Sequence, residues 1–255
     1  MEKTDNAQAA LMVSKSKVSK KFEMKRISRF LITPIFVLYV SENCNNNKKM
    51  RINFKSENFG DSPLRWMNEP QIWKQSESDG LLIHMDAKHD FWRKTYYKPL
   101  LISNNGHIYF NEFPSEGNVM VETSFTLNAV NQFDQAGLMV YLDEEHWIKT
   151  GIEHTDGLNR LSCVVTNGYS DWSTQDFPLS NLTIRLYKLG SDYVVEAKKE
   201  NGEFSFIRIC HLENQENSGP VKVGLYAAAP SEKGGSVAFE YILFDHTIEG
   251  YHHTN

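Results

Sequence analysis

Side chains suited to ligand chemistry are concentrated in one stretch, DQAGLMVYLDEEHWIKTGIEH, which runs from Asp134 to His154. Polar, aromatic and thioether residues recur at alternate positions on both sides of an acidic corner: Gln135, Met139, Tyr141, Trp147, Lys149 and Glu153. Amide and carboxylate groups hydrogen-bond to sugar hydroxyls, and aromatic rings stack on the apolar faces of sugars. This combination of residue types therefore suits a carbohydrate-binding surface.

The same alternation predicts the element that positions these residues. The intervening positions are mostly aliphatic: Ala136, Leu138, Val140 and Leu142 before the corner, and Ile148, Thr150 and Ile152 after it. A period of two on both sides predicts a β-hairpin with its aliphatic face in the core and its mixed face free to bind a ligand. The alternative is a solvated sheet face on which Lys149 and Glu153 form one charge pair, which would contribute little to stability.

A second rank of candidate binding residues lies outside the hairpin: His84, Asp86, Arg93, Tyr96 and Trp172. Arg93 and Tyr96 belong to FWRKTYY, residues 91–97, which concentrates four rings and two cations. This segment is either a strand end packed over a core or a platform for a ligand. Lys149 and Arg93 together would favour an anionic ligand such as a sugar phosphate.

Motifs for catalysis, cofactors and metals are lacking in the sequence. It contains no G-x-S-x-G elbow, Walker loop, Rossmann fingerprint, C-x-x-C or H-E-x-x-H, so no catalytic residue, cofactor or metal ligand is assigned. Retaining glycoside hydrolysis requires two carboxyl groups about 5 Å apart. The acidic run Asp143–Glu145 falls at the hairpin corner, where neighbouring side chains point in different directions. A glycosidase that uses Glu153, with Asp86 as its second carboxylate, remains an alternative.

The remaining composition favours a single β-domain that does not bind nucleic acid. The 255 residues include 27 basic and 32 acidic side chains, a net charge of -5, which argues against broad nucleic-acid binding. From Met50 onward, strand-like runs recur at intervals of about 8–12 residues with turn residues between them, the pattern of an all-β sandwich. We expect this domain to span residues 50–250.

The first 49 residues differ from the rest and predict a disordered or weakly structured extension. Phe30–Val40 is apolar but too short for a stable membrane span, and Pro34 interrupts it. The segment from Met24 to Val40 has the basic start and apolar middle of a signal peptide, although Tyr39 suits cleavage poorly. We expect a cytoplasmic protein, or a secreted one if this segment acts as a signal.

Four stretches carry a resemblance to a known family. They are DAKHDFWRKTYY (residues 86–97), QFDQAGLMVYLDEEHWIKTGIEH (132–154), LSCVVTNGYSDWST (161–174), and the closing VGLYAAAP with VAFEYILFD. The chain resembles the DUF1349 family, also called the regulation-of-enolase-protein family, within the concanavalin A-like lectin/glucanase superfamily. The resemblance implies a jelly roll of two antiparallel sheets, one of them concave.

The resemblance says less about chemistry, because the superfamily includes lectins, glycoside hydrolases and proteins with no assigned activity. Related glucanases place their carboxylates in an E-x-D-x-x-E strand motif that this sequence lacks. The best-known fungal members are similar to cytosolic proteins implicated in controlling enolase and galactose-linked metabolism. We therefore expect a noncatalytic carbohydrate- or sugar-phosphate-binding regulator that uses the concave face. A protein that docks onto a glycolytic enzyme such as enolase is the second hypothesis, and a glycoside hydrolase is the third.

Overall fold

The computed structural model describes residues 49–56, 62–213 and 219–251, which form seventeen strands and no helix. In chain order the strands are β1 (Lys49–Asn53), β2 (Arg65–Met67), β3 (Ile72–Ser76), β4 (Gly80–His84), β5 (Phe91–Arg93), β6 (Ile102–Asn104), β7 (His107–Phe113), β8 (Val119–Asn128), β9 (Gln135–Asp143), β10 (His146–Thr155), β11 (Leu158–Asn167), β12 (Tyr169–Asp176), β13 (Asn181–Leu189), β14 (Asp192–Lys198), β15 (Phe204–His211), β16 (Val221–Ala228) and β17 (Ser236–Asp245). The all-β prediction is confirmed.

Two large antiparallel sheets make up the fold, as expected for a jelly-roll sandwich. One has eight strands in the order β15-β14-β13-β8-β17-β4-β3, with β1 paired to the far half of β17. The other has seven strands in the order β12-β11-β10-β9-β16-β7-β2. The expectations for the weakly structured extension, the apolar segment 30–40 and the signal-like segment 24–40 fall on residues outside those described. The domain limits of 50 and 250 stay a prediction. Within the described part of the chain, no helix is long and apolar enough to cross a bilayer.

The predicted hairpin is β9 and β10, and its aliphatic face enters the main core between the two sheets. Ala136, Leu138 and Val140 are fully buried there with Ile148 and Ile152. The two strands are in register from Trp147 opposite Tyr141 to Glu153 opposite Gln135.

Two glycines face each other where β9 and β10 approach closely. A Cβ atom on Gly137 would lie 2.0 Å from the carbonyl oxygen of Thr150, and one on Gly151 would lie 2.0 Å from that of Ala136. Only glycine fits at these two positions, because backbone atoms on the opposite strand cannot yield as a flexible side chain could. The close approach of the two strands therefore restricts these two positions to glycine, whereas the other positions of the hairpin are restricted by the face on which they lie.

The opposite face of the seven-stranded sheet, which we call the outer face, carries a second hydrophobic cluster. The short pair β5 and β6, here called the covering hairpin, lies over it. Phe91 packs edge-on against Tyr141 and Trp147, with ring centroids 6.4 and 5.9 Å apart. Trp147 is 0 % exposed. The alternative of a solvated face is therefore wrong, because the rings of β9 and β10 are covered by another part of the chain.

Candidate functional site

Two adjoining cavities lie over the outer face, at the edge of the covering hairpin. The larger has a volume of about 630 Å³ and the smaller about 220 Å³. Four aromatic residues, the ring wall, line both cavities: Trp92, Tyr97, Phe133 and Trp172. The smaller cavity alone is lined by Ser231 and by four further polar residues, which we call the polar floor: Asp90, Gln135, Lys149 and Glu153.

The ring wall is assembled from distant parts of the chain. Trp92 lies on β5, Tyr97 follows it in the covering hairpin, Phe133 precedes β9, and Trp172 lies on the edge strand β12. Trp92 is nearly perpendicular to both Trp172 (centroids 6.4 Å apart, 89°) and Tyr97 (6.0 Å, 84°). Phe133 meets Trp172 edge-on at 6.4 Å. Edge-to-face contacts of this kind hold the rings in fixed directions, so the wall is preformed.

The polar floor is held by a buried hydrogen-bond network. Lys149, 2 % exposed, donates from Nζ to the carbonyl of Phe91 at 2.7 Å and forms a salt bridge of 3.4 Å with Asp90 Oδ1. Gln135 donates from Nε2 to Asp90 Oδ1 at 3.2 Å and to the carbonyl of Phe133 at 3.1 Å. The network ties β9 and β10 to the residue that precedes the covering hairpin.

Glu153 is linked through this floor to the ring wall. The hydroxyl of Ser162 donates to Glu153 Oε2 at 2.7 Å, and the indole N–H of Trp172 donates to Ser162 Oγ at 2.9 Å. Burial raises the pKa of the Glu153 carboxyl, although the nearby ammonium of Lys149 and the Ser162 hydroxyl act in the opposite direction. The site therefore holds a desolvated carboxyl group, and Ser162, itself held by Trp172, fixes the orientation of that group.

Three residues that line the larger cavity have a left-handed backbone. The φ angles are 75° at Tyr96, 68° at Phe133 and 54° at Asp156. Asp156 lies in a turn, where this conformation is common, but a bulky aromatic residue with a positive φ is unusual. Such backbone conformations persist where the surrounding structure enforces them, and they concentrate at ligand sites.

The structure brings together five of the predicted site residues around the cavities. Gln135, Lys149 and Glu153 line the smaller one, Tyr96 lines the larger one, and Trp172 lines both. Their role in binding stays a prediction.

Three further predicted residues lie beneath the site. Met139, Tyr141 and Trp147 belong to the second hydrophobic cluster with Phe91, and none of them lines either cavity. Asn104 donates to the hydroxyl of Tyr141 at 2.9 Å. These side chains therefore support the covering hairpin instead of facing a ligand.

Arg93 also lies outside the lining. It forms an ion pair with Glu145, and its backbone N–H donates to Ser170 Oγ at 2.9 Å. Lys149 is likewise paired, with Asp90. The expectation that these two cations favour an anionic ligand is not supported, since both charges are already balanced by carboxylates.

His84 and Asp86 lie away from the cavities. His84 is exposed at the end of β4 in the eight-stranded sheet. Asp86 accepts a hydrogen bond from the backbone N–H of Gln71 at 3.2 Å, and its own N–H donates to His107 Nε2 at 3.1 Å. The carboxylate pair considered for a glycosidase, Glu153 with Asp86, is therefore not brought together in one cavity.

Sequence reasoning missed Asp90, Trp92, Tyr97 and Phe133 as site residues. Trp92 and Tyr97 belong to FWRKTYY, whose density of rings was the available signal. Phe91 packs in the second cluster, as the core interpretation of that segment predicts, while its neighbours line the cavities. The interpretation as a platform for a ligand stays a prediction. Across the described residues, no three His, Cys, Asp or Glu side chains are grouped as a metal site requires.

A family model described as a protein of unknown function (DUF1349) matches residues 66–247. The chain belongs to the DUF1349 family. Every residue that lines the two cavities falls inside the matched region. The site is therefore part of the DUF1349 domain.

Relatives of this DUF1349 chain occur among fungal proteins. It is 39 % identical over 120 residues to Regulation of enolase protein 1 of Saccharomyces cerevisiae, a match that covers 47 % of this chain and 58 % of the yeast protein. It is 26 % identical over 159 residues to an uncharacterized protein of Emericella nidulans, covering 60 % of this chain and 78 % of the relative. The chain thus spans less than two thirds of the length of the yeast relative.

Solved structures share the fold of the DUF1349 domain. A functionally unknown protein from Saccharomyces cerevisiae has a TM-score of 0.60 at 28 % identity, and the match covers 72 % of this chain and 93 % of that one. The GH43 protein BlXynB from Bacillus licheniformis has a TM-score of 0.57 at 12 % identity over 77 % of this chain and 39 % of its own. The likeness to BlXynB shows the fold alone, and both neighbours share the two-sheet sandwich of this chain.

Proposed function

We propose that this protein is a noncatalytic carbohydrate-binding protein whose ligand occupies the two cavities of the outer face. One observation carries the proposal: a wall of four rings surrounds a floor of buried hydrogen-bonding groups. Aromatic and apolar lining with a few fixed polar groups is the usual composition of a small-molecule site, and the larger cavity falls within the usual range of about 300–1,000 Å³.

An unsatisfied acceptor in the floor supports a ligand that donates hydrogen bonds. Gln135 is 1 % exposed, and its Oε1 has no hydrogen-bond partner among the residues that the structure describes. A buried polar atom without a partner costs about 1–3 kcal/mol. A sugar hydroxyl that donates to this oxygen would recover that free energy on binding.

The arrangement of the carboxylates favours binding over hydrolysis. Asp90 Oδ1 already accepts from the backbone N–H of Phe91 at 2.8 Å and from Gln135, and it pairs with Lys149. Glu153 accepts from Ser162. Both carboxylates therefore act as anchors of the floor, which is the basis for a noncatalytic role.

The direct test is calorimetric titration of the full chain with neutral mono- and oligosaccharides. Trp172 is 37 % exposed and lines both cavities, so Trp172→Ala should weaken binding by about tenfold or more, as expected for a central aromatic contact. Trp172→Phe keeps a ring and should lose less. Phe206→Ala removes an exposed ring from β15 of the other sheet and should leave affinity unchanged.

One outcome would count against the proposal, and another against the expectation that the ligand is not anionic. Equal affinity in wild type and Trp172→Ala would mean that any sugar binds elsewhere on the molecule. Binding of glucose 6-phosphate in preference to glucose would show that the paired state of Lys149 and Arg93 does not exclude an anionic ligand.

A regulator of enolase is the second candidate function, and it rests on the 39 % identity to Regulation of enolase protein 1. A cytoplasmic location would accompany it. Sedimentation of the purified full chain with enolase from the same organism should then give a stable complex. Separate boundaries for the two proteins at micromolar concentrations would contradict this candidate, because partners with a micromolar Kd or tighter would remain associated.

A further inference from the structure

The charges around the two cavities are predominantly negative. The smaller cavity is lined by Asp90 and Glu153, and the larger by Asp156 and Asp171. Among the described residues that line them, Lys149 is the single cation. A ligand that enters this site therefore meets four carboxylates and one ammonium group.

Only part of this negative charge is balanced by neighbours. Asp90 is paired with Lys149 at 3.4 Å, and Asp171 with Arg208 at 3.0 Å. Within the described part of the chain, Glu153 and Asp156 form no salt bridge. Lys149 lies near Glu153 but contacts Asp90 and the carbonyl of Phe91. One carboxylate in each cavity therefore has no contacting cation among the described residues, and a ligand can supply one.

The hydrogen-bonding groups of the polar floor also favour a ligand that donates hydrogen bonds. Gln135 Oε1 is a buried acceptor for which the described residues supply no donor. Lys149 directs its ammonium toward the carbonyl of Phe91 and the carboxylate of Asp90. A group rich in N–H donors complements this floor, whereas a phosphate or carboxylate adds further acceptors and like charge.

The ring wall favours a cation as well. Trp92 stands nearly perpendicular to Trp172 and to Tyr97, so the planes of the rings that line the cavity lie in different directions. A cation above the face of an aromatic ring is attracted by the ring quadrupole, and more strongly where it is desolvated. The wall also offers flat apolar surface for a pyranose ring.

We infer that the ligand is an amino sugar, with its protonated amine directed to Glu153 and its ring held by Trp172 and the rest of the ring wall. This inference rests on the proposed carbohydrate-binding function and narrows it to a substrate class. Gln135 Oε1 accepts from the amine or from an adjacent hydroxyl. Asp156 contributes a longer-range attraction from the mouth of the larger cavity.

The test uses sugars that differ in one group. Calorimetry of the full chain compares glucosamine with glucose, galactosamine with galactose, and glucosamine with neutral N-acetylglucosamine. The amine should bind at least about tenfold more tightly than its neutral partner in at least one of these three pairs, and the preference should weaken as salt is added.

Variants assign the preference to particular carboxylates. Glu153→Gln should reduce the preference for the amine to about threefold or less while the neutral sugar still binds. Asp156 lies in an exposed turn that tolerates asparagine, so the variant Asp156→Asn should fold. It can therefore be measured even if Glu153→Gln fails to fold. It should lower the preference by up to about threefold. Glu77→Gln, in the exposed turn between β3 and β4, is the matched control and should change nothing.

The outcomes separate the two proposals. Equal affinity for amine and parent sugar would overturn the amino-sugar inference and leave carbohydrate binding intact. No binding of any sugar would overturn the proposed function itself. A preference that survives in both Glu153→Gln and Asp156→Asn would overturn the assignment to these carboxylates.

Discussion

The burial of the Glu153 carboxyl group has a cost in stability. Glu153 is 5 % exposed, and burial raises its pKa above the ordinary value of 4.5. Below the unfolded-state pKa both states are protonated, so the group costs nothing. As pH rises through the window between that value and the folded-state pKa, the unfolded chain loses its proton first and folding becomes less favourable. The proposed binding of a cationic ligand would account for this loss of stability, because a desolvated carboxylate interacts strongly with a cation.

Replacing this group should therefore stabilise the protein in a pH-dependent way. Glu153→Gln keeps an oxygen that can accept from Ser162 but has no proton to lose. The difference in unfolding free energy between variant and wild type should grow with pH from 4 to 8, by up to about 1.4 kcal/mol per unit within the titration window. Urea denaturation at stepped pH measures it. A difference that is constant, or that shrinks as pH rises, would contradict the assignment of this pH dependence to Glu153. Glu77→Gln is the control, for which the difference from wild type should not change with pH.

At the level of elements, the β9–β10 hairpin was predictable because its signal is local. Alternation of aliphatic and mixed positions fixes which side chains share a face. The structure confirms the two faces, since Leu138 and Val140 enter the main core and Met139 and Tyr141 belong to the second cluster. Alternation does not tell whether a face is covered, so it left a solvated surface and a binding surface equally open.

The covering hairpin covers the mixed face of β9 and β10, but its own sequence only weakly indicates that it forms two strands. Its strands are only three residues long, Phe91–Arg93 and Ile102–Asn104, too short for a period to be read. Its contact with Trp147 joins positions more than fifty residues apart in the sequence. Asp90 could not be recognised as the partner of Lys149 for the same reason. The composition of the site was thus partly visible in the sequence, while its enclosure depends on non-local packing.

At the scale of the whole molecule, His107 connects the two sheets at one end of the sandwich. It lies on β7 of the seven-stranded sheet, and its Nε2 accepts from the backbone N–H of Asp86, which follows β4 of the eight-stranded sheet. Its Nδ1–H donates to the carbonyl of Asn68 at 2.6 Å. The Asp86 carboxylate lies 3.9 Å away, and His89 stacks on the ring at 5.0 Å. These contacts require a neutral imidazole, because protonation would turn its acceptor nitrogen into a donor.

Acid should therefore destabilise the entire sandwich through this residue. Burial is the largest influence on His107 and lowers its pKa below the ordinary value of 6.5. As pH falls below 6.5, the unfolded chain takes up a proton that the folded chain refuses, so stability drops by up to about 1.4 kcal/mol per unit until the folded-state pKa is reached. His107→Gln should cost about 1–3 kcal/mol at pH 7.5 through lost hydrogen bonds, yet show a shallower decline toward pH 5 in urea titrations. His84→Gln, at the exposed end of β4, is the control and should retain the wild-type slope, because the side chain of His84 enters no ion pair within the described part of the chain. If His107→Gln instead declines as steeply as wild type, the acid sensitivity arises from other groups, and the link between the sheets does not depend on the charge of His107.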